Sequence, residues 1–184
     1  SNTSRPMQRV SNPELFDGFR HLADFSQDAI YHYDIASRRF LFHNRTFRKF
    51  FQIEDKIEIT ATADQIIKAI HPEDRSSVRK ALKQSLIAGQ KEGEARYRVY
   101  HPDGAIRWLH DRWIVLRNKA GKPHAVQGFI RDITQRQLSE IQFVESNKHA
   151  LIGSYIVRNG RFKYVNPQFI SITGYDEAEL IDMD

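Results

Sequence analysis

The residues best able to do chemistry in this chain of 184 residues are gathered at three places. His71-Pro72-Glu73-Asp74 joins an imidazole to two carboxylates, His101-Pro102-Asp103-Gly104 holds another imidazole and carboxylate, and Tyr31-His32-Tyr33-Asp34 alternates phenols with both. Acid–base or metal chemistry would require such groups to converge on one point. Each spacing has a local reading instead. Pro72 followed by two acids is the composition of a helix first turn, so His71, Glu73 and Asp74 read as helix-starting and capping residues. Pro102 and Gly104 make a tight turn. Alternation along a strand puts His32 and Asp34 on the face opposite Tyr31 and Tyr33. The sequence holds no glycine-rich phosphate loop, zinc signature or triad motif. It has no cysteine, which removes disulfides, thiolate metal sites, cysteine nucleophiles and cysteine-linked chromophores together. The expectation is a non-catalytic chain.

The apolar share of 40% and aromatic share of 11% suit a packed core rather than a disordered chain. No run approaches the roughly 18 apolar residues that a membrane span needs. The net charge of +5 raises nucleic acid as a partner, but Lys and Arg are scattered through strand and helix patterns instead of forming a basic stripe. Ser1-Asn2-Thr3-Ser4-Arg5, with no initiating Met and no apolar stretch behind it, reads as a tag remnant rather than a secretory signal. A cytoplasmic location is expected.

The elements that must position any site follow from periodicity. Apolar residues at 15, 16, 19, 22, 23 and 25 predict a helix over 13–25, after the start signal Asn12-Pro13. Residues 29–35 and 39–43 read as a hairpin, and Asn44 caps a short helix with Phe47, Phe50 and Phe51 on one side. Residues 54–62 show no period. A helix over 63–69 would bury Ile66, Ile67 and Ile70. The next helix, starting at His71, carries the stripe Val78, Leu82 and Leu86 and is expected to end at Gly89. Three strands follow, 92–100, 106–116 and 124–132, with turns at 101–104 and 118–121. Residues 133–148 are helical and polar, with a sparse stripe of Leu138, Ile141 and Val144 that is too broken to define a coiled coil by itself.

The tail repeats the front. Ile30, Tyr33, Phe40, Asn44 and Phe47 match Ile152, Tyr155, Phe162, Asn166 and Phe169 at one constant offset, within a unit of strand, turn, strand and Asn-capped helix. The tail therefore begins a second copy of the front domain.

The motifs and their order resemble the PAS domain family. Phe42-His43-Asn44 to Phe47 resembles its "yvN…F" step, repeated as Tyr164-Val165-Asn166-Pro167-Gln168-Phe169. His71-Pro72-Glu73-Asp74-Arg75 resembles its "HPdDr" helix start, and Asp103-Gly104…Arg107-Trp108 its "DG…RW" hairpin. Gly128-Phe129-Ile130-Arg131-Asp132-Ile133-Thr134 resembles its "G…DIT" exit, and Thr173-Gly174-Tyr175…Glu179-Leu180 a further hallmark. Phe51-Gln52-Ile53 departs from the usual "tGY", which puts the helical side of the first pocket in question. The resemblance implies an α+β PAS fold: a five-stranded antiparallel sheet flanked by short helices, then a linker helix and a truncated second repeat. The corresponding division is 1–27, tag remnant and capping helix; 28–135, PAS/PAC domain; 136–150, linker helix; and 151–184, the opening half of a second PAS domain.

Matching to flavin-binding relatives places Tyr31, Tyr33, Tyr97, Val99, Leu109, Asp111, Trp113, Gly128 and Ile130 on the inward face, where they either wall a small amphipathic ligand or fill the core. Alternation then puts Trp108 on the outer face beside Arg98 and Arg112, to be covered by the first helix or by a second subunit. Flavin–cysteinyl chemistry is excluded by the missing cysteine, and Ile130 stands where such domains carry glutamine. His71 lies at a helix start, which does not favour haem. Asp132, Ile133 and Thr134 would relay a change in the sheet to the linker helix, with Asp132 also serving as an ordinary cap. The implied role is a sensory and dimerising module of a bacterial signalling protein, upstream of a histidine kinase or diguanylate cyclase, with a ligand-free interaction module as the alternative. The expected partners are a second copy of the chain, an output domain and a small ligand, without nucleic acid. The apolar residues of the truncated repeat are expected to pack on another chain.

Overall fold

The computed structural model of the chain describes residues 13–54, 61–87, 89–181 and 183, and side chains from residue 17 onward. The expected tag remnant and most of the aperiodic stretch after residue 54 lie outside the described residues. The chain divides into two units, Ser1–Ile133 and Thr134–Asp184. No helix among the described residues is long and apolar enough to cross a membrane.

The first unit runs α1 (Pro13–Phe25), β1 (Ala29–Asp34), β2 (Arg39–His43), α2 (Arg45–Phe51), β3 (Ala61–Thr62) and α3 (Ala63–Ala69). A 3-10 turn (Pro72–Asp74) leads into α4 (Arg75–Ser85), and then β4 (Glu92–Tyr100), β5 (Ile106–Arg117) and β6 (Pro123–Asp132). The strands form one antiparallel sheet in the order β3-β2-β1-β6-β5-β4. This is the expected α+β fold, with the two-residue β3 as a sixth strand for which the sequence carried no signal. α4 stops at Ser85, four residues before the expected Gly89, which sits in the following turn at φ +88°.

Cross-strand register builds the inner face as rows. Ala29, Ile130, Asp111 and Ala95 stand in one row, and Tyr31, Gly128, Trp113 and Gly93 in the next. Small residues in each row leave room for the large ones to lie flat. The core forms where this face meets Phe47, Phe51, Ile66 and Ile70 from α2, α3 and its cap.

Two arginines fasten α4 to the sheet. At its start, Arg98 of β4 grips Asp74 through Nε (2.9 Å), Nη2 (2.7 Å) and its backbone N–H (2.8 Å), and reaches Glu73 at 2.8 Å. The expected helix start is present, with His71 as cap, Pro72 in the first turn and both acids there; only a side-chain cap by Asp74 is corrected. Asp74 makes no side-chain cap bond, because its carboxylate matches the planar guanidinium fork instead. The same guanidinium lies 5.4 Å over the ring of half-buried Trp108, so the neighbouring strand covers part of this tryptophan. At the other end of α4, Arg117 Nη2 of β5 lies 2.8–3.4 Å from the carbonyls of Ser85, Leu86, Ile87 and Gln90, so it binds the last helical carbonyl and the chain that leaves the helix.

The second unit comprises α5 (Thr134–Asn147), β7 (Tyr155–Arg158), β8 (Arg161–Val165), α6 (Pro167–Thr173) and α7 (Glu177–Leu180). Its register corrects the constant offset read from the sequence. β1–β2 pairs Tyr31 with His43 and, past a bulge, Tyr33 with Phe40; β7–β8 pairs Tyr155 with Val165 and, past a bulge, Val157 with Phe162. Tyr155 is therefore the counterpart of Tyr31, not Tyr33, and Ser154 that of Ile30, in place of Ile152. The second hairpin is two residues shorter, turning on Asn159-Gly160 with both at positive φ. Beyond the turn Phe162, Asn166 and Phe169 do correspond to Phe40, Asn44 and Phe47. The ring triangle Tyr31–Phe40–Phe47, with centroids 5.1–5.7 Å apart, is rebuilt as Tyr155–Phe162–Phe169 at 5.2–5.6 Å.

Candidate functional site

Between the inner face of the first sheet and helices α2–α4 lies a cavity of about 330 Å3. Its sheet side is formed by Tyr31, Tyr33, Tyr97, Asp111, Trp113 and Ile130, joined by Phe40 of β2 and Val126 of β6, which the strand reading did not include. The first six came from the strand reading, and they face one another because antiparallel register brings alternate residues to one side. Three further residues of the expected set do not line the cavity. Val99 and Leu109 are fully buried in the core beside it. Gly128 lies under the Tyr31 ring, where a Cβ would fall 2.5 Å from the phenol oxygen and 2.8 Å from the Arg112 carbonyl.

Gly128 explains the polar centre of the site. Tyr31 belongs to β1 and Asp111 to β5, with β6 between them, so the ring must cross a strand to reach the carboxylate. It does so over the only residue type that permits the approach. The Tyr31 hydroxyl donates to Asp111 Oδ1 at 3.0 Å, and the Tyr97 hydroxyl donates to Oδ2 at 3.0 Å. Burial raises the Asp111 pKa to about 7, and the two phenol bonds only partly offset it. Burial first, and then the carboxylate's charge, push both phenols well above their usual value. The two tyrosines therefore stay as donors throughout the pH range of a cell. A second glycine serves Trp113: Gly93 leaves the space its indole occupies, and the indole N–H donates to Ser85 Oγ at 2.9 Å, tying β5 to the end of α4.

The rest of the wall comes from the helical half: Phe47 and Phe51 of α2, Ile66, Ile67 and Ile70 of and after α3, and Val78 and Leu82 of α4. The sequence marked these as core stripes but could not say that they face a void. Exposed Arg38, Asp64 and Arg79 also line the cavity, with Arg38 3.4 Å from Asp64. Where Gln52 stands for the usual glycine, the backbone still takes the left-handed cap of α2 (φ 54°), as Gly174 does for α6 (φ 74°). The helical side keeps its shape at the cost of a non-glycine residue there.

Of the expected relay residues, Asp132 is exposed and paired in register with Leu109. Ile133 donates its backbone N–H to the Trp108 carbonyl at 2.8 Å, extending the β5–β6 ladder one step beyond β6. Thr134 is the first residue of α5 and is buried. Arg131, beside them, pairs with Asp28 at 2.8 Å and so links the end of β6 to the residue before β1. The other clusters that could do chemistry do not converge. His71 accepts from the Glu73 N–H, and Asp103 accepts from the Ala105 N–H within its turn.

Comparison with known proteins agrees with this geometry. A family model described as PAS fold matches residues 40–130, and one described as PAS domain matches residues 143–184. Over 79 residues, or 43% of the chain, the sequence is 32% identical to the methyl sulfide methyltransferase-associated sensor of Methanosarcina acetivorans, and that match spans 8% of the sensor's length. A sensory box histidine kinase/response regulator structure from Burkholderia thailandensis is similar with a TM-score of 0.55 and 27% identity, over 71% of this chain and 93% of that one. The N-terminal domain of a diguanylate cyclase with PAS/PAC sensor from Marinobacter aquaeolei shares the fold, with a TM-score of 0.52 and 23% identity over 60% and 98%.

Proposed function

We propose that this chain, which belongs to the PAS domain family, is a non-catalytic sensory and dimerising module that binds a small ligand in its first copy and relays occupancy through Asp132, Ile133 and Thr134. The carrying observation is the buried Tyr31–Asp111–Tyr97 constellation on the wall of a cavity large enough for a small molecule. A carboxylate kept away from water, with acceptor capacity to spare, is costly in a domain that only fills space. β6, which carries Ile130 of the cavity wall, leads through Ile133 into α5, so a ligand that shifts the sheet would bias the helix. Similarity to the Burkholderia sensory box histidine kinase supports a kinase-type output, with a diguanylate cyclase as the other candidate, and a cytoplasmic location belongs to the same proposal. Self-association is supported by the apolar side chains of Leu138 and Ile141, exposed on α5.

Native mass spectrometry of the purified protein tests the ligand. A co-purifying small molecule that is lost on cavity mutation is expected, and a chain of bare mass with no response to any added compound would leave the ligand-free interaction module. Val99, Leu109 and Ala29, closely packed beside the cavity, are what favours that second reading. Sedimentation of the full chain beside one ending at Lys148 tests the dimer, and two monomers would refute it.

A further inference from the structure

The charges around Asp111 narrow the chemistry of what the cavity accepts. Among the described residues, the polar and charged groups that line the cavity around the carboxylate can be named. From β1 and β4 come the hydroxyls of Tyr31 and Tyr97, one on each oxygen, and from the other lining segments the charged residues are Arg38, Asp64 and Arg79. Arg38 is exposed and held by Asp64, and Arg79 is exposed. No cation bonds to Asp111 among the described residues. An ionised carboxylate offers about four lone-pair positions, of which the phenols use two. The remainder of the surroundings is aromatic and aliphatic: Tyr33, Phe40, Phe47, Ile66, Trp113 and Ile130. Once ionised, this buried carboxylate has hydrogen bonds but, among the described residues, no bonded counter-charge, and it is the half of an ion pair that an incoming ligand can complete.

We infer that the cavity takes a compact apolar or aromatic ligand bearing a protonated nitrogen, which seats on the free lone pairs of Asp111 between Tyr31 and Tyr97. The inference rests on the reading of the cavity as a ligand site and adds the chemical class. Neutral hydroxyl ligands would gain one ordinary hydrogen bond there, and anionic ligands would face like charge. The phenols act as positioning residues, since each fixes one oxygen and leaves the outer lone pairs turned to the cavity. Because the ligand pairs with the ionised form, its binding must expel the proton from the fraction of Asp111 that is protonated near neutrality.

Three isosteric probes test this by calorimetry and thermal shift on the full chain: phenethylammonium, 2-phenylethanol and phenylacetate. Phenethylammonium is expected to bind at least tenfold more tightly than either other probe, to tighten as pH rises from 5.5 to 8, and to release protons on binding. The preference should vanish in Asp111→Asn. Should that variant fail to fold, the Asp111 carboxyl carbon followed by NMR in the wild type serves instead, and its titration must move to lower pH when phenethylammonium is bound. Equal or tighter binding of the alcohol or of phenylacetate overturns the inference while leaving the cavity as a ligand site. Binding of none of the three overturns it together with that reading.

Discussion

Asn166 repeats for the second copy, bond for bond, what Asn44 does for the first. Each carboxamide is fully buried. Asn44 Oδ1 accepts from the N–H of Phe47 (3.0 Å) and Ile30 (2.9 Å), and Nδ2 donates to the carbonyls of Ala23 (2.7 Å) and Asp28 (2.9 Å). Asn166 Oδ1 accepts from Phe169 and Ser154, and Nδ2 donates to Asn147 and Ile152, all at 2.8–3.0 Å. Ala23 lies in α1 and Asn147 ends α5, so the N-cap of the helix after each hairpin also grips the helix before it. α5 thereby holds in the second unit the place that α1 holds in the first.

Replacing Asn44 by Ala orphans two N–H groups and two carbonyls around a buried site, and should cost about 3 kcal/mol or more of unfolding free energy. Urea denaturation measures it, and a loss under about 1 kcal/mol would show that water replaces the carboxamide. In Asn166→Ala, amide exchange at Ser154 and Phe169 should accelerate together, as both lose one acceptor.

Asp111 makes stability depend on pH in an unusual direction for an acid. Its folded pKa, about 7, lies above the ordinary 3.8, so ionisation disfavours the fold. Its contribution is present at low pH and is lost as pH rises through about 7, on the order of 4 kcal/mol over the whole titration. The difference in unfolding free energy between wild type and Asp111→Asn, measured from pH 4 to 8.5, should therefore shift against the wild type as pH rises. A flat difference would mean that Asp111 titrates as an ordinary carboxylate.

Asp74 carries the opposite sign. The hydrogen bonds from Arg98 hold its carboxyl below the usual range, so its stabilisation is present above that range and is lost as pH falls through the lowered value. Asp74→Asn should remove about 1.5–3 kcal/mol at pH 7, the scale of a charged hydrogen bond, and should flatten the acid limb of the stability curve. Arg98→Lys should recover little of the loss seen in Arg98→Ala, because an ammonium cannot reproduce the fork. Full recovery by lysine would reduce the contact to simple charge.

Gly93 and Trp113 should behave as one unit. A methyl at 93 enters the indole's space, so Gly93→Ala should cost about 1–3 kcal/mol. In a Trp113→Phe background the same change should cost much less, giving a measurable coupling in a double-mutant cycle. Additive losses would show that the backbone, and not the ring, rejects the methyl.

Much of this protein was settled by local chemistry that the sequence displays directly. The order of strands and helices apart from the two-residue β3, the caps at Asn44 and Asn166, and the inward side of β1, β4, β5 and β6 follow from period-two and helical patterns and from single capping residues. Each is decided within a few residues, so each was legible without the tertiary structure. The offset of the repeat was not, because identical letters at Ile30 and Ile152 or Tyr33 and Tyr155 carry no register, and only pairing across β7–β8 showed that two residues are missing from the turn. Nor could the sequence show that Asp74 abandons its cap for Arg98, or that Gly128 yields its place to Tyr31 so that a phenol from β1 can meet a carboxylate on β5. Those outcomes depend on which distant surfaces come to share a few ångströms, and that competition is resolved only when the sheet closes over its helices.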